Sequence, residues 1–331
     1  MAARGEAECA RAADPRPARG LDPRLYQISV LTGLLAYGVL VLHFDVTPAR
    51  VTTTLAAALL AQYVCTRAWR LPAFDPKSAL ISGLSLCLLL RANSPLWAVV
   101  AAALAIASKF TLRVRGKHVM NPTNFALVAL LAARAPVWVS PGQWGNAAFF
   151  AFLMACLGGL VVNRASRSDV TYAFAVSHVG ILLGRALWLG EPPAVPLHRL
   201  ENGAFLLFTF FMISDPRTTP DARAGRVLFA FLVAAGAAFV QFGIYRTNGL
   251  LWSLAALSVA VPLIDRWFAG ARYEWRPADL PALLRPKGAQ HANAPADSIR
   301  RPGPGDGAPP ARPARAGVLR LLRRAGRREA L

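Results

Sequence analysis

The sequence predicts an all-α integral membrane protein of about ten transmembrane segments, and three observations predict it. Hydrophobic residues make up 55% of the 331 and charged ones only 16%, against about 25% charged in an ordinary soluble domain. The charges are segregated at the two ends and in short clusters between apolar runs. Those runs recur from residue 26 to residue 268 and mostly reach or approach the about 17–25 residues that a spanning helix needs.

The apolar stretches are Tyr26–Phe44, Val51–Thr66, Ser78–Leu90, Pro95–Phe110, Pro122–Ala133, Gly145–Val162, Val170–Gly190, Gly203–Ile213, Gly225–Tyr245 and Gly249–Phe268. The fifth is expected to continue to Val139 past Arg134 and Pro136. Residues 1–25 mix five Arg with four acidic residues and have no apolar core, so they form a cytoplasmic segment and not a signal peptide.

Charge sets the orientation. With the N-terminus inside, the inner loops carry Arg67, Arg70 and Lys77, then Arg113, Arg115 and Lys117, then Arg164 and Arg167, then Arg217 and Arg223. The outer loops carry only Arg50, Arg91, Arg134, Arg199 and Arg246. This excess inside supports an even number of spans and cytoplasmic termini. The net charge of +20 is therefore a topology signal first. No nucleic-acid motif accompanies it, and the expected partner is the lipid bilayer of a bacterial inner membrane.

The third and eighth stretches are the short ones, and they are the middle members of two sets of five. An odd number of segments per set inverts the second half, giving repeats at about 26–139 and 145–268. Paired short segments in inverted halves point to a site at the repeat interface. Residues 276–316 hold nine prolines and no apolar run, which predicts disorder. Residues Gly317–Leu331 set Val318, Leu319, Leu321 and Leu322 among five arginines; they fit either a basic amphipathic helix on the inner leaflet or a solvated tail.

Asx-Pro pairs stand at three segment edges: Asp75-Pro76, Asn121-Pro122 and Asp215-Pro216. The Asx oxygen accepts a free first-turn N–H, and proline loses nothing where its N–H would be unpaired. Such a start either merely begins a helix at the interface or offers N–H groups and a positive dipole end to an anionic or carbonyl-bearing ligand. Inverted symmetry is expected to bring Asn121 and Asp215 together. The candidate cofactor-binding residues are therefore Asn121, Thr123, Asn124, Asp215 and Thr218, with Ser78 beside Asp75-Pro76 given a lesser part.

His178 joins them because it sits near the middle of the seventh stretch, where it is either a neutral imidazole bonded to a neighbouring helix or a ligand contact. Lys109 and Arg185 lie within a turn or so of helix ends, where each either snorkels to the interface or carries a function. The four cysteines form no C-x-x-C pair, and no metal cluster, Ser-His-Asp set or phosphate-binding glycine loop is present to carry catalysis. Glycines such as Gly158-Gly159 are read as close-packing positions.

The run Ile81-Ser82-Gly83-Leu84-Ser85-Leu86-Cys87, then Ser94-Pro95-Leu96-Trp97, Ile106-Ala107-Ser108-Lys109 and Asn121-Pro122-Thr123-Asn124-Phe125 resembles the NqrB/RnfD family. So does Phe210-Phe211-Met212-Ile213-Ser214-Asp215-Pro216-Arg217-Thr218-Thr219-Pro220. Members are membrane subunits of sodium-pumping NADH–quinone and ferredoxin–NAD oxidoreductase complexes. The resemblance covers roughly residues 26–268 and implies two inverted five-helix repeats, similar to urea and ammonium channels. It also implies a flavin-carrying role among other membrane subunits or redox partners.

Family members carry FMN covalently on a threonine of a Ser-Gly-Ala-Thr sequence in the outer loop between the halves. Here that loop, Arg134 to Asn146, holds Ser140 and no threonine, so covalent FMN is not expected and a flavin, riboflavin or FMN, would be held non-covalently. The runs Asn163–Val170, Leu187–Pro192 and Tyr273-Glu274-Trp275 are similar to shorter stand-alone relatives of the UnbU type in enediyne antibiotic gene clusters. Two functions stay open: a membrane component of electron transfer or ion translocation, or a small-solute or ion channel on the same fold serving natural-product biosynthesis. Either is a transport or electron-transfer subunit more than a stand-alone enzyme.

Overall fold

A computed structural model describes residues 22–140, 168–200 and 203–270. The stretch Gly145–Val162, the start of the Asn163–Val170 run, Tyr273–Trp275, the tail from 276, Cys9 and Cys156 lie outside them.

Local chemistry starts the helices. In α1 (Pro23–Leu40), α2 (Pro48–Ala68), α3 (Pro76–Leu89), α4 (Pro95–Thr111) and α5 (Pro122–Ala132), proline occupies the first turn. The residue before each is Asp22, Thr47, Asp75, Ser94 or Asn121. All but Asp75 accept a first-turn backbone N–H through the side chain. A cap followed by proline fixes where each helix enters the bundle.

Between these helices lie short strands: β1 (Leu90–Ala92), β2 (Arg113–Val114), β3 (Lys117–His118) and β4 (Val137–Val139). The β2–β3 hairpin closes through Arg115 and Gly116, at φ 51° and 79°, the positive-φ pair that a tight two-residue turn requires. The expected helical continuation of the fifth segment through Val137–Val139 is not what the chain adopts. Helix α5 stops at Ala132, Arg134 turns the chain at φ 53°, and β4 pairs antiparallel with β1. Pro136 cannot continue a helix, and Val-Trp-Val suits a strand.

The second half comprises α6 (Ser168–Leu189), α7 (Ala194–Leu200), α8 (Gly203–Leu207), α9 (Arg223–Ala238), α10 (Gly249–Ser258) and α11 (Val261–Trp267). Helices α8 and α9 run on into π-helical turns, Phe208–Met212 and Phe239–Gly243. Asp215-Pro216 starts no helix: the backbone N–H of Arg217 donates to Asp215 Oδ1 at 3.0 Å and Thr218 N–H donates to the Asp215 carbonyl, which makes a turn.

Helix α2 packs on α3 and α4, α4 on α5, α6 on α9, and α9 on α10, while α5 meets α10. Leu86, Ile106, Leu127, Phe174, Phe208 and Ile213 sit in the buried apolar core. Large apolar side chains also point outward, among them Leu60 of α2 and Val176, Leu187 and Trp188 of α6; water penalises such a surface and lipid accepts it. Among the described residues, α6 and Arg223–Gly243 are long and apolar enough to cross a membrane. The pair α10 and α11, bent by 55°, makes a third span if read as one. The other expected spans within the described residues fall on shorter apolar helices, or on α2, which is long but carries Thr52, Thr53, Thr54, Gln62 and Thr66. The architecture is that of an all-α membrane protein.

Candidate functional site

Polar side chains buried in this apolar bundle gather at one end of α3. Ser78, Ser82 and Ser85 share a face of that helix, spaced by one turn each, and line a cavity of about 90 Å³ with Lys109, Asn121, Thr123 and Asp215. Asn121 does two jobs. Its Oδ1 accepts the Asn124 N–H at 3.1 Å, and its Nδ2 donates to Asp215 Oδ2 at 3.3 Å and reaches the Met212 carbonyl at 3.5 Å. The two Asx-Pro turns of opposite halves therefore meet.

Asn124 and Thr218 stand behind the cavity wall. Asn124 is fully buried and its Nδ2 donates to the Leu251 carbonyl of α10 at 3.2 Å, bracing α5 on α10. The Thr218 hydroxyl donates to the Asp215 carbonyl at 3.3 Å. Lys109 does not snorkel: it is 6% exposed, and its ammonium donates to the Ser78 carbonyl at 2.7 Å and the Ser78 hydroxyl at 3.1 Å. Ser78, given a lesser part from its sequence position, holds the buried cation.

The rim is ionic. Arg24 bonds Asp22 and Asp75, and Lys77 bonds Asp22 at 2.9 Å. Burial alone would raise the Asp22 carboxyl, but hydrogen bonds from Arg24 and Lys77 hold it down at about 2. Asp22 thus stays ionised at neutral pH, and its contribution is lost only as pH falls below the ordinary Asp range toward 2. On the other side of the mouth, Arg217 faces His118 at 3.5 Å.

His178 lies elsewhere. It lines a cavity of about 840 Å³ at the opposite end of α3, where Leu89 contributes to the wall; Ser78 and Leu89 are about 16 Å apart at helical rise. Phe174 and Phe205 stack against its ring at 5.5 and 5.2 Å. Its Nδ1 is buried with no hydrogen-bond partner among the described residues. Arg185, paired with Glu191, and Arg199 lie over the Phe242 ring at 4.1 and 5.1 Å. Trp138 and Val139 of β4 and Ser140 just after it complete the wall. Met212 touches both cavities.

Size separates what each can hold. A cavity of about 150 Å³ takes a single benzene ring, so 90 Å³ admits waters or a small ion and no three-ring flavin. The aromatic cavity is large enough for one, and aromatic side chains and the cations Arg185 and Arg199 line it. Sequence reasoning found only His178 here, because Phe205, Arg199 and Phe242 come from three separate elements. A signal for the polar cavity was available in the spacing of Ser78, Ser82 and Ser85.

Residues 137–274 match the NQR2, RnfD, RnfE family. The RnfD protein of the ion-translocating oxidoreductase complex of Halorhodospira halophila is 28% identical, over 65% of this chain and 80% of that protein. Proteins of the same name from Alcanivorax borkumensis and Escherichia coli are 31% and 32% identical, each over 37% of this chain. The chain spans 35% and 34% of the length of those two relatives.

Proposed function

Because the chain belongs to the NQR2, RnfD, RnfE family, matched over residues 137–274, we propose that it serves electron transport coupled to ion translocation, holding a non-covalent flavin in the aromatic cavity. The observation that carries this reading is the 840 Å³ space beside the stacked His178 and Phe205 rings, walled by the Trp138–Ser140 segment. A bound flavin supplies one- and two-electron chemistry there. The chain's own part is to hold it: Phe205, Phe242 and Tyr245 line the space with apolar surface, and Arg199 offers positive charge to an anionic group. The absence of threonine from Arg134 to Asn146 supports non-covalent binding. Partner membrane proteins follow from the same reading, since the named relatives belong to a complex.

The reading includes about ten segments in two inverted halves, an inner-membrane location and cytoplasmic termini. Reporter fusions test this: those at Arg70 and Lys117 are expected to read cytoplasmic, and those at Arg134 and Glu191 external. A cytoplasmic signal at Arg134 would contradict the ten-segment plan.

Flavin binding is tested by titrating riboflavin or FMN into the purified full chain and following flavin fluorescence. Saturable quenching is expected, with affinity falling about tenfold or more in Phe205→Ala, since stacking and burial of an aromatic face are worth on the order of 1–3 kcal/mol. The second reading, a small-solute or ion pathway, is favoured by the polar cavity, whose size suits water and small ions. Protein that never quenches either flavin yet releases a small solute from vesicles would support it.

A further inference from the structure

We propose that the polar cavity between α3, α4 and α5 is a binding site for a small anion, a carboxylate or an oxyanion of carbonate size, with Lys109 as its primary cation. The proposal stands apart from the flavin reading, which concerns the other cavity. Lys109 is 94% buried by its 6% exposure, and its ammonium gives two hydrogen bonds to Ser78. An ammonium carries three donors, and among the described residues no carboxylate lies within the 4 Å of an ion pair with it. Asp215 and Asp75 act on it only from beyond direct contact; a buried charge with no counter-ion in contact is costly, and the cavity it lines supplies room for one.

The carboxylates lining the same space are engaged. Asp75 accepts from Arg24 at 2.7 Å. Asp215 accepts from the Asn121 amide at 3.3 Å and the Arg217 backbone N–H at 3.0 Å. With its N-cap turned to Arg24, α3 has no side-chain cap on its first-turn N–H groups, so its positive end also faces this region. The buried Thr123 adds a hydroxyl to the wall. Arg24, Lys109 and Arg217 outnumber Asp75 and Asp215 around this space, which favours an anion over a metal cation. The volume of about 90 Å³ limits that anion to a few heavy atoms.

Melting temperature of the detergent-purified full chain, followed against sodium formate and sodium bicarbonate at constant ionic strength, tests the site. A saturable rise is expected with either salt, unchanged when choline replaces sodium. In Lys109→Met the apparent Kd should rise at least tenfold. Asn121→Asp keeps a capping oxygen but adds negative charge to the cavity, and it should weaken binding similarly if Lys109→Met does not fold. Leu60→Ala, on the outward face of α2, should bind as the wild type does. No saturable rise, an equal rise in Lys109→Met and Asn121→Asp, or a rise that follows sodium and not the anion would overturn the proposal. The flavin titration, read at the aromatic cavity, fails or succeeds independently.

Discussion

Lys117→Met is expected to lower the melting temperature sharply while leaving the helices formed. Lys117, at the tip of the β2–β3 hairpin, bonds Asp221 Oδ1 at 3.0 Å and Asp265 Oδ2 at 2.7 Å. Asp265 also accepts the Asp221 backbone N–H at 2.8 Å. One lysine of the first half thus neutralises two carboxylates of the second, and all three side chains are 14–20% exposed. Removing the cation leaves two facing carboxylates with little water to screen them. Breaking a buried pair costs about 3–5 kcal/mol, and partial exposure brings this case to about 2–4 kcal/mol. The double variant Lys117→Met with Asp265→Asn should recover part of the loss, because one of the stranded charges is gone. Thermal unfolding in detergent checks both, and a Lys117→Met protein that melts with the wild type would show that the hairpin is not latched.

Gly249→Ala is expected to be strongly destabilising for so small a change. A Cβ there would stand 2.6 Å from the carbonyl oxygen of Ala237, a backbone atom of α9 that cannot rotate aside. Asn248, just before it, already adopts the left-handed conformation at φ 60°, so the entry into α10 has little freedom to adjust. Overpacking of this kind costs about 1–3 kcal/mol, and a backbone collision belongs at the upper end. Gly249 lines the aromatic cavity, so flavin affinity should fall with stability. Gly236 offers the contrast. A Cβ on Gly236 would collide with the Ser253 hydroxyl, a side-chain atom, so Gly236→Ala should be rescued by Ser253→Ala and Gly249→Ala should have no such partner. Matched melting temperatures for Gly249→Ala and wild type would contradict the close α9–α10 approach.

Much of the fold was legible because apolar runs and caps are local signals. Each predicted stretch within the described residues falls on helix. The cap-and-proline code was richer than the Asx-Pro pairs alone suggested: Thr47-Pro48 and Ser94-Pro95 begin helices by the same chemistry. What the sequence hid depends on distant partners. Lys109 reads as a snorkelling residue by its place near the end of α4, and only the approach of Ser78 from α3 explains why it turns inward. Val137–Val139 reads as apolar continuation, and its strand character comes from pairing with Leu90–Ala92, far away in sequence. Asn121 and Asp215 were singled out by their proline neighbours, and their 3.3 Å contact follows from two halves packing together. Arg199 and Phe242 carried no local pattern, so the aromatic cavity was visible only through His178.

The central claim is that this membrane protein carries flavin without a covalent bond. The direct measurement is the visible absorption spectrum of protein purified from cells that also make a flavin transferase, followed by denaturation and gel electrophoresis. The account predicts flavin bands near the wavelengths of the free cofactor, full release of the chromophore into the supernatant on denaturation, and a protein band with no fluorescence. A fluorescent band that survives denaturation would contradict non-covalent binding, and a colourless protein that takes up neither riboflavin nor FMN would contradict the flavin itself.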